Sequence, residues 1–180
     1  MRLPIRIYGD PVLREHCKEI TEITEEIRQL ARDMIDTMDV DGRGIGLAAS
    51  QVGVPLRLFV LRNYIRNEEG RVTLSAPKVF INPKITVRGE ELVGDEEGCL
   101  SVPGVRVQIA RPTRIVIEAL DLDGQPLKEE VEGMNARVRM HENDHLNGVL
   151  IVDRADSKQR HHMKPQLRDL KRRSKKGDTV

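Results

Sequence analysis

The segment HENDH at residues 141–145 combines residue types that support metal-dependent chemistry. In a helix, His141 and His145 lie one turn apart on the same face, with roughly 5–6 Å between their Cβ atoms, so both imidazoles can reach one metal ion. Glu142, next to the first histidine, can exchange a proton with water that the ion activates. The alternative is that both histidines are ordinary surface or core residues. Because the chain has five histidines and two of them flank a glutamate at this spacing, we predict a metal-dependent hydrolase.

Two histidines leave a catalytic metal site one protein ligand short, because such sites use three protein ligands and keep a fourth position open. Extended metalloprotease patterns supply a further histidine three residues after the glycine, but residues 149–151, after Gly148, are Val, Leu and Ile. Cys99, within the segment DEEGCLSVPG, can complete a Cys–His–His set, although a lone intracellular cysteine is more often a small buried apolar residue. Other donors lie in unremarkable or basic sequence, namely Asp153, Asp156, His161 and His162.

The segment GIGLAASQVG at residues 44–53 is the third candidate. Its Gly-x-Gly-x-x-Ala spacing also occurs in dinucleotide-binding turns, but those follow a strand, whereas here a predicted helix and an Asp-Gly turn come first. We therefore expect no nucleotide cofactor. Glycines let the backbone approach a ligand closely. Gln51 ends the segment with an amide that can donate a hydrogen bond to a developing oxyanion.

Taken together, the three segments resemble the peptide deformylase family, whose enzymes remove the formyl group from the N-terminal formyl-methionine of new bacterial proteins. The family motifs G-x-G-x-A-A-x-Q, E-G-C-L-S and H-E-x-x-H stand here at residues 44–51, 97–101 and 141–145. Their order and separations match, and the similarity covers roughly residues 5–155. The resemblance implies that the substrates are N-formyl-methionyl nascent peptides and that formate is released.

The resemblance also implies a role for each matched residue. One divalent metal ion is the expected cofactor, with ferrous iron expected in the cell, while zinc, nickel or cobalt also suit one thiolate and two imidazoles. The implied metal ligands are Cys99, His141 and His145. Glu142 would act as general base and then as general acid. Gln51 and the backbone N–H of Leu100 would stabilise the tetrahedral oxyanion, and such a donor is typically worth roughly 3–4 kcal/mol.

An apolar slot is needed for the methionine side chain of such a substrate. Motif position and helix phase suggest Ile45, Met134 and Val138, with Gly46 giving the substrate close access to the backbone. Met134 and Val138 are equally consistent with core residues. Arg106, seven residues after Cys99, resembles a family position near the peptide backbone, and a solvated surface arginine is the alternative. Arg139 and Met140 depart from the residues that many relatives carry before the first histidine, which leaves the packing of this helix open.

Three helices are predicted to carry or flank these residues. The first begins after Thr24, a good N-cap residue, has apolar residues at helical spacing up to Met38, and ends at Asp41-Gly42. The second spans residues 134–147 and ends at Gly148. The third is basic, spans residues 157–173 and is interrupted or kinked at Pro165.

The middle of the chain is rich in short strands, predicted at Leu56–Leu61, Val79–Ile85, Val105–Ile109 and Arg114–Leu120. A turn at Asp123-Gly124 closes a hairpin, and residues 63–78 are predicted to form a loop. The predicted fold class is α+β: short strands in antiparallel or mixed sheets around a central metal-binding HExxH helix, with an N-terminal and a C-terminal helix. A single domain is expected over residues 1–180, with a catalytic body of about 1–155 and a basic helix of about 156–176.

Charge and composition limit the partners. Residues 154–176 contain ten Lys or Arg and two Asp, which predicts either a solvated helix or a segment that contacts ribosomal RNA. The aromatic content of 2% argues against base stacking, and no apolar stretch predicts a membrane span or a secretory signal. With two cysteines, a cytoplasmic location is expected. A zinc peptidase and a non-enzymatic RNA-binding module are the rival classes; Cys99 argues against the first, and the complete set of ligands and Glu142 against the second.

Overall fold

The computed structural model describes residues 1–39 and 44–180. The first helix, α1, spans Glu25–Met38, and the side-chain oxygen of Thr24 accepts a hydrogen bond from the N–H of Ile27, as the predicted N-cap requires. Its apolar stripe packs into the core through Ala31, Met34 and Met38. The predicted helix end at Asp41-Gly42 lies outside the described residues.

A five-stranded antiparallel sheet forms the centre of the fold, in the order β1-β2-β5-β6-β7. The strands are β1 (Gly46–Ala48), β2 (Leu58–Leu61), β5 (Lys78–Gly98), β6 (Arg106–Leu120) and β7 (Pro126–Glu132). The predicted hairpin closing near Asp123-Gly124 is present, because β6 pairs with β7 from Leu120↔Pro126 onward. The sheet and the three helices give the α+β class that the sequence predicts.

Two strands are much longer than predicted. The segment Val79–Ile85 belongs to a strand that continues to Gly98, and the predicted strands at Val105–Ile109 and Arg114–Leu120 are parts of one strand, β6. The prediction of short strands was wrong here because residues 86–94 of β5 are exposed and lack an apolar face. In addition, β6 runs through Pro112 beside a register shift, and proline usually marks a strand end or edge.

The prediction of a loop over residues 63–78 was also wrong. This segment contains a second, two-stranded sheet formed by β3 (Tyr64–Arg66) and β4 (Val72–Leu74), paired antiparallel from Tyr64↔Leu74 to Arg66↔Val72. Three-residue strands with exposed polar neighbours give almost no periodic signal, which explains the failure. Gly70, with φ of 75°, lies in the connecting turn.

The second helix, α2, spans Gly133–Leu146 and carries the HENDH segment. Gly148, with φ of 70°, follows it as predicted. The two departures from the family pattern are accommodated: Met140 packs with Ile115 and Ala136, and Arg139 is completely buried. The Arg139 guanidinium donates to Asn63 Oδ1 at 2.9 Å and Glu129 Oε2 at 2.6 Å, and lies 5.2 Å from the centre of the Phe80 ring.

The third helix, α3, spans Ser157–Lys175 and is not interrupted at Pro165. Asp156 caps it by accepting from the N–H of Gln159 at 2.7 Å. Met163 and Leu170 are buried in a cluster with Ile7, Leu13, Val107 and Ile109, so one face of α3 belongs to the core beneath β6. Within the described residues, no helix has both the length and the apolar character needed to cross a bilayer.

Candidate metal and catalytic centre

Cys99, His141 and His145 come together at the end of β5 against α2. One potential ligand atom from each residue lies within 4.8 Å of the others, and Cys99 Sγ is 3.3 Å from His145 Nε2. The two imidazole centres are 5.2 Å apart, as expected for residues one helical turn apart. The structure thus brings the three predicted ligands into one cluster.

The chemistry of this cluster fits a divalent transition metal. Glu97 Oε1 lies 2.9 Å from His141 Nδ1, and an ionised carboxylate can only accept, so Nδ1 carries a hydrogen. In the neutral imidazole, Nε2 then has the lone pair that a metal ion requires. One thiolate sulfur and two imidazole nitrogens are the donors that zinc and iron sites use, and three protein ligands leave a fourth position for a reactant. Residues that hold a metal ion would be Cys99, His141 and His145.

Glu142 is the acid–base candidate beside this cluster. Its side chain is 4% exposed, and Oε2 has no hydrogen-bond partner within the part of the chain that the structure describes. Burial raises the pKa of this carboxyl to about 7, against the opposing effect of a charged His141. Gly46 makes this placement sterically possible, because a Cβ at Gly46 would lie 2.8 Å from Glu142 Cδ. Gly46 therefore contacts the catalytic candidate as well as lining the pocket.

Gln51 lies on a short 3-10 turn, Ala49–Val52, directly after β1. Its Oε1 accepts from the N–H of Ala48 at 2.9 Å, which fixes the amide so that Nε2 faces Ser101 Oγ at 3.0 Å and Cys99 Sγ at 3.6 Å. Both ends of the amide are therefore set by neighbours in the fold. A donor held in this way needs little reorganisation when negative charge develops beside the cluster.

The predicted site residues line one cavity of about 590 Å³, and His145 lies buried beneath it. Val138 is half-buried and also packs on the sheet core, whereas Met134 is 41% exposed at the surface of α2. Gly98 and Arg106 face each other across the β5–β6 ladder, and the guanidinium covers Gly98. The predicted residues that line the cavity are Ile45, Gly46, Gln51, Cys99, Leu100, Arg106, Met134, Val138, His141 and Glu142.

Comparison with known proteins shows the family of this chain. Residues 2–161 match the family described as polypeptide deformylase. The chain belongs to the polypeptide deformylase family. The peptide deformylase of Psychrobacter cryohalolentis is 45% identical over 99% of this chain and 93% of that protein. The peptide deformylase of Dictyoglomus thermophilum is 50% identical over 84% of this chain and 91% of that protein.

Solved structures of the family have the same architecture. The crystal structure of peptide deformylase from Thermotoga maritima is 42% identical, with a TM-score of 0.76 over 87% of this chain and 99% of that chain. The peptide deformylase of Thermus thermophilus is 38% identical, with a TM-score of 0.83 over 96% and 99% of the two chains. The chain therefore has the α+β fold of the solved peptide deformylase structures.

Glu97, Arg111, Arg137 and Asp144 form a buried ion cluster beneath the site, and the sequence did not predict it. Glu97 is 6% exposed and contacts Arg111, which also donates to Asp144 Oδ2 at 2.9 Å. Burial opposes ionisation of Glu97, but hydrogen bonds from Arg111 and His141 outweigh it and hold the pKa of Glu97 well below its usual range. A signal existed: strand alternation puts Arg111 on the same inward face as Val107 and Ile109, where an arginine needs a partner.

Tyr64 also lines the cavity, from β3, and was not predicted to belong to the site. The side-chain amide of Asn135, in the first turn of α2, accepts from the N–H of Tyr64 at 2.8 Å and donates to its carbonyl at 3.0 Å. This pair of hydrogen bonds attaches the β3–β4 hairpin to the helix that carries the histidines. The segment predicted to be a loop is therefore one wall of the site.

Proposed function

We propose that this chain removes the N-formyl group from the N-terminal formyl-methionine of newly synthesised polypeptides and releases formate. The observation that carries the proposal is the convergence of three ligand atoms, within 4.8 Å of one another, beside a buried glutamate and a fixed amide donor. Membership of the deformylase family gives the reaction class and the substrate class.

Cys99, His141 and His145 would hold the metal ion. The chemistry that a bound ion supplies here is Lewis acidity toward water and toward the formyl carbonyl. We place ferrous iron first in the cell, with zinc, nickel and cobalt as ions that the same donors accept, because availability often decides among them. Metal analysis of protein purified without oxygen tests this order: zinc as the dominant ion would contradict it.

The residues around the ligands would transfer the proton and stabilise the oxyanion. Glu142, buried and with an unpartnered Oε2 among the described residues, takes the proton of the attacking water and delivers it to the departing amine nitrogen. Gln51 Nε2 and the backbone N–H of Leu100 donate to the carbonyl oxygen as it gains negative charge. Each such donor typically contributes roughly 3–4 kcal/mol to lowering the barrier.

The cavity supports a peptide rather than a free amino acid as substrate. Ile45, Met134 and Val138 offer apolar contacts for the methionine side chain, and Arg106 stands where the following peptide would pass. The cavity continues into a groove of about 760 Å³ between β6 and α3, and Gly104, Val105 and Arg106 line both. Residues downstream of the methionine therefore have a path along the surface.

Formate release from formyl-Met-Ala-Ser tests the activity. The wild-type protein loaded with a divalent metal should release formate, and both metal-stripped protein and Glu142→Gln should lose nearly all activity. The matched control is metal content, which should be unchanged in Glu142→Gln because the three ligands remain. Absence of release by the wild type with every divalent metal offered would refute the proposed function.

We also propose that α3 contacts the ribosome. Its solvent-facing side carries a row of exposed basic residues, and clustered Lys and Arg bind phosphates in a salt-dependent way. The exposed basic residues of α3 are Lys158, Arg160, Lys164, Arg168, Lys171, Arg172 and Lys175.

Charge reversal tests this contact without removing the part of α3 that packs in the core. Lys164→Glu with Arg168→Glu should weaken binding to ribosomes and flatten its salt dependence. The control is Arg71→Glu with Arg88→Glu, which changes the net charge by the same amount at exposed positions that are far from α3 in the sequence. Equal weakening by both pairs would show general electrostatic attraction and contradict a specific role of α3.

A further inference from the structure

The carboxylate of Glu97 is the acceptor at the centre of the buried ion cluster. Arg111 binds it through two nitrogens, Nε to Oε2 at 2.6 Å and Nη2 to Oε1 at 2.9 Å. His141 Nδ1 shares Oε1 at 2.9 Å, and Arg137 Nη1 shares Oε2 at 2.7 Å. Both carboxylate oxygens therefore have two donors each, and only one of the four comes from a proposed metal ligand.

Arg137 joins three parts of the fold at this point. It lies on α2 one turn before His141 and is 7% exposed. Besides Glu97, its guanidinium donates to the carbonyl of Ile109 on β6 at 3.0 Å and to the carbonyl of Val93 on β5 at 2.6 Å. A single side chain thus fixes the distance between α2 and both long strands next to the site.

We propose that Arg137 is a positioning residue of the metal site, acting on His141 through Glu97. A hydrogen bond from the second ring nitrogen orients a metal-binding histidine and raises its strength as a ligand. Arg111 binds Glu97 through Nε and Nη2 and Asp144 through Nη1, so Arg137 supplies the second donor to Glu97 Oε2 and the only one from α2 to that oxygen among the described residues. The inference rests on the proposed metal site of Cys99, His141 and His145.

Loss of Arg137 would act through geometry and charge together. Glu97 Oε2 would keep one donor, and the carbonyls of Ile109 and Val93 would lose theirs. The buried negative charge of Glu97 would also lose one of its neighbouring cations. Glu97 would then move toward Arg111, and the ring of His141 would lose its fixed orientation. The expected result is a metal site that releases its ion faster.

Arg139 supplies a matched control on the same helix. It is two residues further on, is completely buried, and likewise donates to a carboxylate, that of Glu129. Within the described residues, none of its hydrogen bonds reaches Glu97 or a proposed ligand; they go to Asn63, Glu129 and the carbonyl of Asn135. Replacing Arg139 removes a buried cation from α2 while leaving the Glu97 carboxylate intact.

The test measures metal binding in the full-length protein loaded with cobalt(II), independently of catalysis. Arg137→Gln should raise the rate of cobalt loss to a chelator roughly tenfold, at the lower end of the range of about 10–100-fold typical for outer partners of metal ligands. It should also change the visible absorption of the cobalt site. Arg139→Gln should reduce stability but keep both the loss rate and the spectrum close to the wild type.

Arg137→Lys separates position from charge. A lysine keeps the cation but cannot reach Glu97 and both carbonyls with one nitrogen, so it should restore the loss rate only partly. If Arg137→Gln does not fold, the same comparison is made between Arg137→Lys and Arg139→Lys. Equal loss rates and spectra in the paired variants would overturn the proposal. Failure of the wild type to bind cobalt would instead contradict the metal site on which it rests.

Discussion

The helices α2 and α3 use charged residues in opposite ways. In α2, the charged side chains at Arg137, Arg139 and Glu142 are buried, and both guanidinium groups are hydrogen-bonded to carboxylates. In α3, the Lys and Arg side chains lie mostly in solvent, and the buried positions are the apolar residues Met163 and Leu170. One helix therefore uses charge to fix atoms in place, and the other presents charge to the surroundings.

The difference has an energetic basis. A buried charge without its partner is costly, so the partner and the geometry are both constrained. A solvated charge interacts weakly with any one neighbour and can be replaced at little cost. Substitutions in α2 should therefore alter stability and catalysis through specific atoms, whereas substitutions on the outer face of α3 should alter long-range attraction only.

The largest effect is expected from breaking a buried pair in α2. Arg139→Ala removes the donor to Asn63 Oδ1, leaves Glu129 with Lys78 as its cation, and opens space beside the Phe80 ring. We therefore expect a loss of about 2–5 kcal/mol in the free energy of unfolding, as for other large-to-small core substitutions. Arg172→Ala, which breaks the exposed pair with Asp169 in α3, should cost less than about 1 kcal/mol. Denaturant unfolding of both variants measures the difference, and similar losses would contradict the comparison.

A second prediction concerns the space that the buried Glu142 requires. Gly46→Ala places a methyl group against the carboxyl of Glu142, which must then move by about 1 Å. A displacement of this size can cost roughly 100-fold in kcat. Formate release measures the loss, and an unchanged metal content is the control. A variant with wild-type kcat would show that Glu142 need not occupy the observed position.

The clustering of the candidate ligands could be predicted from the sequence, because the residue types and spacing of the HENDH segment are local. His141 and His145 are separated by one turn, and the glutamate lies between them, so no knowledge of the fold was needed. Completing the set with Cys99 rested on the missing third ligand and on the family motif E-G-C-L-S at residues 97–101. Helices were predicted for similar reasons, since Thr24 and Gly148 mark ends that depend on neighbouring residues alone.

The partners within the ion cluster and the contact of the β3–β4 hairpin with α2 could not be predicted, because both depend on residues that are distant in the sequence. Glu97 and Arg137 are 40 residues apart, and they meet only because β5 runs on to Gly98 alongside α2. The continuation of β5 has no apolar periodicity to reveal it. Two hydrogen bonds to Asn135, 71 residues away in the sequence, hold Tyr64 at the cavity. Such contacts are set by strand register, which local sequence does not specify.

A third prediction concerns Tyr64, whose backbone is hydrogen-bonded to Asn135 of α2 and whose side chain is expected to contact the substrate. Tyr64 lines the cavity while Ile65, next to it on β3, is 44% exposed and does not. Tyr64→Ala should raise KM for formyl-Met-Ala-Ser by roughly tenfold with little change in kcat, because an apolar contact in a binding pocket is worth about 1–3 kcal/mol. Ile65→Ala should leave both constants unchanged. A fall in kcat without a change in KM would assign Tyr64 a different role.

The smallest effect is expected at Gln159, a side chain of α3 that has fixed hydrogen-bond partners like those of α2. Gln159 is half-buried, and its amide accepts from the N–H of Gln108 at 2.7 Å and donates to the same residue's carbonyl at 3.3 Å, as a neighbouring strand would. Gln159→Ala should therefore cost about 1 kcal/mol in the free energy of unfolding.

Gln166 in the same helix is exposed and serves as the matched control, because Gln166→Ala makes the same chemical change without breaking that pair. Its free energy of unfolding should equal that of the wild type. If Gln159→Ala is destabilising and Gln166→Ala is not, the property that separates α2 from α3 is the presence of fixed partners, and not charge or the identity of the helix. Equal effects would show that helix propensity governs both positions.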